Sequence, residues 1–115
     1  MKKIALVAFN GDPMCFIHAL LNTSDMKEKG WDVRLIVEGS ATKTISDLNN
    51  PETPFHDLYE KIKTADLIDC VCKACSAKMG VLDDIIKQGL YISDEMNGHP
   101  SLARYIDEGF EIITF

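Results

Sequence analysis

The segment 2–9 (KKIALVAF) is apolar throughout after its two lysines and stops abruptly at Asn10-Gly11-Asp12-Pro13. A run of that length bounded by turn residues reads as a strand buried on both faces. The same signal recurs at Trp31 to Val37, Leu67 to Cys72, Leu90 to Ile92 and Phe110 to Phe115. Helix-patterned stretches separate these runs. Asp12 is placed to cap a helix that starts at Pro13, runs to about Lys29 and stops at Gly30, with Phe16, Ile17, Leu20 and Leu21 as its apolar face. Ser40 is expected to cap a short helix over Ala41 to Leu48, and Thr53 another that begins at Pro54 and presents Phe55, Leu58, Tyr59 and Ile62. Short helices are expected over Cys75 to Met79, Val81 to Lys87 and Pro100 to Glu108.

Strands alternating with helices predict an α/β fold: a three-layer α/β/α sandwich around a mostly parallel sheet of about five strands. With 115 residues, one domain spanning 1–115 is expected. A chain of this size buries about two-thirds of its unfolded surface, so it needs neither disulfide nor metal to fold. Ligands of such sheets bind beyond the carboxyl ends of the strands. The candidate loops are therefore Asn10 to Pro13, Glu38 to Ala41, Cys72 to Ser76 and Ser93 to Pro100.

Charge narrows the partners. The formal net charge is −6, and the basic residues are scattered among acids, as in Lys27-Glu28-Lys29. A phosphate backbone needs clustered Lys and Arg, so neither nucleic acid nor an anionic membrane is expected. The first apolar run is too short for a secretory leader, which usually carries about 7–15 apolar residues. No stretch approaches the ~20 of a membrane span. A cytoplasmic location with reduced thiols is the expectation. Nucleotide loops of the G-x-x-x-x-G-K or G-x-G-x-x-G type are absent, as is a G-x-S-x-G elbow, and no cofactor is expected.

The chemistry concentrates in Asp69-Cys70-Val71-Cys72-Lys73-Ala74-Cys75. Strand alternation puts Cys70 and Cys72 on one face. Cys70 lies inside the strand and reads as a core thiol; Cys72 ends the strand at the functional edge. A helix start, with Lys73 and Lys78 nearby, is expected to lower the thiol pKa below its usual value of about 8.5. Cys75 completes a C-x-x-C and is equally compatible with packing. Metal binding through Cys70, Cys72 and Cys75 would need Cys15 or His99 as fourth ligand, without support from spacing. Cys15 alone reads as packing. His99 reads as a helix cap or a solvent-facing residue, although its loop lies on the carboxyl side of the sheet. His18 and His56 read as surface or partly buried, and Asp94-Glu95 as a solvated acidic pair.

Taken together, the lysine-led first strand, the Gly11-Asp12 turn, Glu38-Gly39 and a cysteine ending the third strand eight residues before Gly80-Val81 resemble the DsrE/DsrF-like family. The ending from Gly98-His99-Pro100 to Phe115 is also similar. The resemblance implies a sulfur-relay protein that carries a persulfide on Cys72 between sulfur donor and acceptor proteins; the C-x-x-C spacing offers Cys75 as its partner thiol. It further implies a homo-oligomer, a trimer or hexamer. Relay members usually carry small apolar residues and arginines after that cysteine, where this chain has Lys73, Cys75, Lys78 and Met79. The alternative is a non-catalytic oligomeric binding module of the same fold with inert or metal-binding thiols.

Overall fold

The computed structural model describes all residues 1–115. Five strands, β1 (Lys3–Ala8), β2 (Asp32–Val37), β3 (Ile68–Cys72), β4 (Ile92–Ser93) and β5 (Glu111–Thr114), form one sheet in the order β4-β3-β2-β1-β5. Every pairing is parallel. The helices are α1 (Pro13–Glu28), α2 (Ala41–Leu48), α3 (His56–Thr64), α4 (Lys73–Lys78), α5 (Leu82–Lys87) and α6 (Leu102–Asp107). This is the α/β fold expected from the alternation of elements.

The strand order explains the layers. From β1 to β4 the chain steps one strand at a time in one direction. Crossovers of one hand then place α1, α2, α3 and α5 on the same face. Their buried side chains, Phe16, Leu20, Ile45, Tyr59, Ile62 and Ile85, pack there against Ile4, Leu6, Leu35 and Val71. The last crossover runs back past β1, so α6 covers the opposite face, where Tyr105 and Phe110 meet Ala5, Val7, Ile36 and Cys70. Complete burial of a side chain such as Phe16 contributes about 1.5–3 kcal/mol.

Several local expectations give way to loop geometry. Leu21 is 51% exposed; the packed stripe of α1 is Phe16, Ile17, Ala19, Leu20 and Thr23. Thr53 does not cap α3. Its hydroxyl donates to the Asp47 carbonyl at 2.8 Å, and the helix starts at His56 behind Phe55, whose φ is 69°. Phe55 is therefore outside the helix and exposed. Ser40 makes no cap bond either. Its Oγ accepts from the Gly11 amide at 2.8 Å instead, tying the loop after β2 to the loop after β1. A Cβ at Gly11 would lie 2.5 Å from the Ser40 carbonyl oxygen, so a side chain there would part the two loops. The strand expected over Leu90 to Ile92 is displaced to Ile92–Ser93.

Candidate functional site

Cys72 is the last residue of β3 and the N-cap of α4. Its backbone is extended, with φ −63° and ψ 123°, so the strand passes into the helix without an intervening loop. The Cys75 amide donates to Cys72 Sγ at 3.4 Å, and the Ser76 hydroxyl donates to the Cys72 carbonyl at 2.7 Å. Together these bonds fix the sulfur at the carboxyl edge of the sheet. Cys75, one turn later, is half-buried and is the thiol nearer to solvent, whereas Cys72 is 0% exposed.

The third member arrives on a turn. Asn97 and Gly98 both have positive φ, 48° and 90°, and the His99 amide donates back to the Met96 carbonyl at 2.9 Å. Two central residues with positive φ make a type I′ turn, for which Asn-Gly is a favoured pair. The Ala74 amide donates to the Gly98 carbonyl at 2.9 Å, docking the turn on the start of α4. His99 Nδ1 consequently lies 3.0 Å from Cys72 Sγ and 3.8 Å from Cys75 Sγ. The Gly98 carbonyl oxygen is 3.5 Å from Cys72 Sγ. His99 is thus not a helix cap, and though half-buried it turns Nδ1 to the thiols; Ser101 caps α6 through its hydroxyl, which accepts from the Arg104 amide. The Asn97-Gly98 pair was the sequence signal that could have placed it.

The turn has its own anchor. Arg104 Nε and Nη2 donate to the Glu95 carboxylate at 2.5 and 2.9 Å, and Arg104 Nη1 donates to Glu108 at 2.9 Å. Glu95 is solvent-exposed, as expected, but is also tied to α6, and Arg104 keeps its carboxyl down at about 2. The adjoining Asp94 pairs with Lys73 at 3.3 Å.

The electrostatics oppose the expectation of a lowered thiol pKa. The Cys72 thiol is pushed up to about 12, chiefly by burial and in part by the Cys75 side chain and the Glu38 charge, with the Cys75 amide opposing them. Lys73, one of the two cations expected to stabilise a thiolate, is engaged with Asp94 instead. The resting state at neutral pH is a protonated thiol facing the imidazole. Glu38, which closes β2, is 9% exposed; burial raises its carboxyl above the usual range, and the His99 charge pulls it back. Glu38 therefore belongs to the same electrostatic unit.

The remaining candidates lie elsewhere. Cys70 points to the same side of the sheet as Cys72 but enters the core under α6, with its sulfur 3.3 Å from the Tyr105 hydroxyl. Burial raises its thiol to about 11, opposed by the hydrogen bond to Tyr105. Tyr105 donates to Asp69 through a short hydrogen bond. Cys15, on α1, lines a shallow depression with Met14, His18 and Phe115 and does not join the cluster. His56 Nδ1 meets the Leu48 carbonyl oxygen at 2.7 Å. Beyond β1 and β5 the sheet edge is closed by the Phe115 carbonyl, which accepts from the Phe9 and Asn10 amides at 3.0 and 3.3 Å.

A parallel α/β sandwich with two thiols and an imidazole converging where a strand turns into a helix defines the class of protein. The chain belongs to the DsrE/DsrF-like family, whose model matches residues 2–115. It is 37% identical over 97 residues to an uncharacterised protein of Methanocaldococcus jannaschii, an alignment covering 84% of this chain and 77% of that one. An uncharacterised protein of Archaeoglobus fulgidus is 46% identical over 41 residues, 36% of this chain and 67% of the relative. Among solved structures, a conserved protein of unknown function from Bacteroides thetaiotaomicron superimposes with a TM-score of 0.72 at 16% identity, covering 98% of this chain and 95% of that one. At that identity the likeness shows the fold. No helix is long and apolar enough to cross a membrane.

Proposed function

We propose that the protein is a sulfur carrier, exchanging sulfane sulfur with donor and acceptor proteins through Cys72 and Cys75. One observation carries this reading: a single imidazole nitrogen of His99 reaches both sulfurs, at 3.0 and 3.8 Å. Family membership adds a sulfur-relay type of chemistry. A thiol held protonated by burial becomes a nucleophile only when a neighbouring base takes its proton at the moment of attack. His99 is placed to do so for either cysteine.

The exposure of the two thiols suggests the order of events. Half-buried Cys75 meets the donor, attacks the terminal sulfur of a persulfide, and releases the donor's thiolate. Its own proton passes to His99. His99 gives that proton to the departing donor thiolate. It then takes the proton of Cys72 as Cys72 attacks the outer sulfur, and returns it to the Cys75 thiolate that leaves, so that the sulfur is stored as a Cys72 persulfide. Transfer to an acceptor thiol reverses the sequence. Homo-oligomerisation would surround the site with a second subunit.

Incubation with inorganic polysulfide, followed by mass analysis, tests the reading. Cys72 is expected to gain the mass of one sulfur atom, with slower loading in Cys75→Ser. Full retention of the load in Cys72→Ser overturns it. A second reading, a binding module with inert thiols, is favoured by the complete burial of Cys72. It also has a candidate recess, an apolar groove of about 320 Å³ lined by Pro13, Ile17, Leu48, Pro54 and Phe55 among others. It predicts no sulfur loading on any cysteine.

A further inference from the structure

We propose that Cys72, Cys75 and His99 also form a three-ligand zinc site at the carboxyl end of the sheet, open at its fourth position. The ligand atoms of all three lie within 4.8 Å of one another. With Zn–S near 2.3 Å and Zn–N near 2.0–2.1 Å, tetrahedral coordination sets ligand atoms roughly 3.5–3.8 Å apart. The observed separations from Nδ1, 3.0 Å to Cys72 and 3.8 Å to Cys75, bracket that spacing. The imidazole nitrogen thus already stands at coordinating spacing from the two sulfurs, which themselves lie within 4.8 Å of each other.

Supporting bonds hold the donors in place independently of one another. Cys72 is fixed by the strand end and the Ser76 bond to its carbonyl. His99 is fixed by the Asn97-Gly98 turn and by the Ala74 amide bond to Gly98. A site assembled on rigid elements loses little entropy when the ion enters. Two sulfurs and one imidazole favour a soft or borderline cation over magnesium or calcium. Buried Glu38 interacts electrostatically with Cys72 and His99, and Lys73, adjacent to Cys72, is already paired with Asp94. One protein C-x-x-C with a histidine from a distant turn replaces the second knuckle that the sequence lacks.

Three protein ligands and an open fourth position characterise zinc centres that accept an exogenous ligand, here a water, a thiolate or hydrosulfide. Zinc would displace the thiol protons to solvent and occupy the lone pairs that sulfur transfer requires. Metal-bound and persulfide-bearing states are then mutually exclusive on Cys72.

Cobalt(II) titration of the reduced full-length chain, followed by zinc displacement, tests the site. One cobalt per chain is expected, with tetrahedral ligand-field bands and a thiolate-to-cobalt charge-transfer band, both erased by one equivalent of zinc. His99→Gln and Cys75→Ser should each weaken zinc affinity at least tenfold, and both leave the core intact. Absence of the charge-transfer band, or zinc affinity unchanged in His99→Gln, overturns the proposal. Sulfur loading is measured separately on chelator-treated protein, so failure of the carrier reading and failure of the zinc site are distinguishable.

Discussion

Arg104 holds Glu95 through two guanidinium nitrogens, Nε at 2.5 Å and Nη2 at 2.9 Å, and so ties the turn that carries His99 to the helix on the far face of the sheet. The Glu95 and Met96 amides both donate to the His99 carbonyl, at 3.0 and 2.8 Å, which passes the restraint from the carboxylate to the imidazole-bearing residue. Arg104→Lys keeps the charge and loses the planar fork. Because the pair is part-exposed, its contribution to global stability is small, about 0–1 kcal/mol. The expected outcome is a near-normal melting temperature with faster hydrogen exchange at the His99 amide and slower sulfur loading. Equal losses in both would place the pair in the general framework instead.

The acid limb of stability follows from the same pair. Glu95 titrates at about 2 when folded and near 4.3 when unfolded. Its contribution is therefore complete above the unfolded value and lost as pH falls through 2. Solvent screening holds that contribution well below what the shift alone implies. Hydrogen exchange across 93–101 should stay protected at pH 4 and loosen only below pH 3, and Arg104→Lys should move that loosening to higher pH.

Gly98 carries the second restraint. Its φ is 90°, and an added Cβ would lie 3.0 Å from Ala74 Cβ. Gly98→Ala therefore combines a left-handed strain of about 1–2 kcal/mol with a displacement of the turn from α4. Loading with polysulfide should fall by at least tenfold. Asn97→Gly, at φ 48°, accepts the same backbone without a Cβ and should load normally.

Much of this site was legible before the fold was known, and the reasons for the rest are specific. Cys72 could be placed at the carboxyl edge because an apolar run ended there and a helix pattern followed. Its environment could not, because burial depends on what the chain brings from 26 and 27 residues downstream, Gly98 and His99. Lys73 read as a thiolate stabiliser because it adjoins Cys72; in space its ammonium turns to Asp94, a partner from another loop. Cys70 reads as packing from its place inside the strand and the usual burial of cysteine, and it enters the core under α6. Thr53 and Ser40 have cap chemistry, but both hydroxyl groups serve contacts between loops, which no local pattern encodes.

Tyr105 joins Cys70 and Asp69 through one hydroxyl, with the sulfur at 3.3 Å. Tyr105→Phe keeps the edge-on packing against Phe110 and removes that hydroxyl. Loss of the partner for a half-buried carboxylate should cost about 1–3 kcal/mol, read as a lower urea midpoint at unchanged slope. Sulfur loading should be unaffected, because Cys70 lies apart from the cluster formed by Cys72, Cys75 and His99.

The buried thiols set the alkaline limit. Cys70 and Cys72 are held protonated to about 11 and 12 in the fold. In the unfolded chain they ionise near 8.5. Between pH 8.5 and 10 the unfolded state therefore binds fewer protons, and stability falls as pH rises, by up to about 1.4 kcal/mol per pH unit for each thiol. Tyrosine and lysine ionisation enters only near the top of that window. Urea midpoints measured at pH 8, 9 and 10 should decline, and Cys70→Ala should flatten the decline. Alkylation of Cys72 should be slower than that of free cysteine at pH 7 and should accelerate steadily with pH through 10. A Cys72 that alkylates faster than free cysteine at pH 7 would mean that the thiolate, not the thiol, faces His99 at rest.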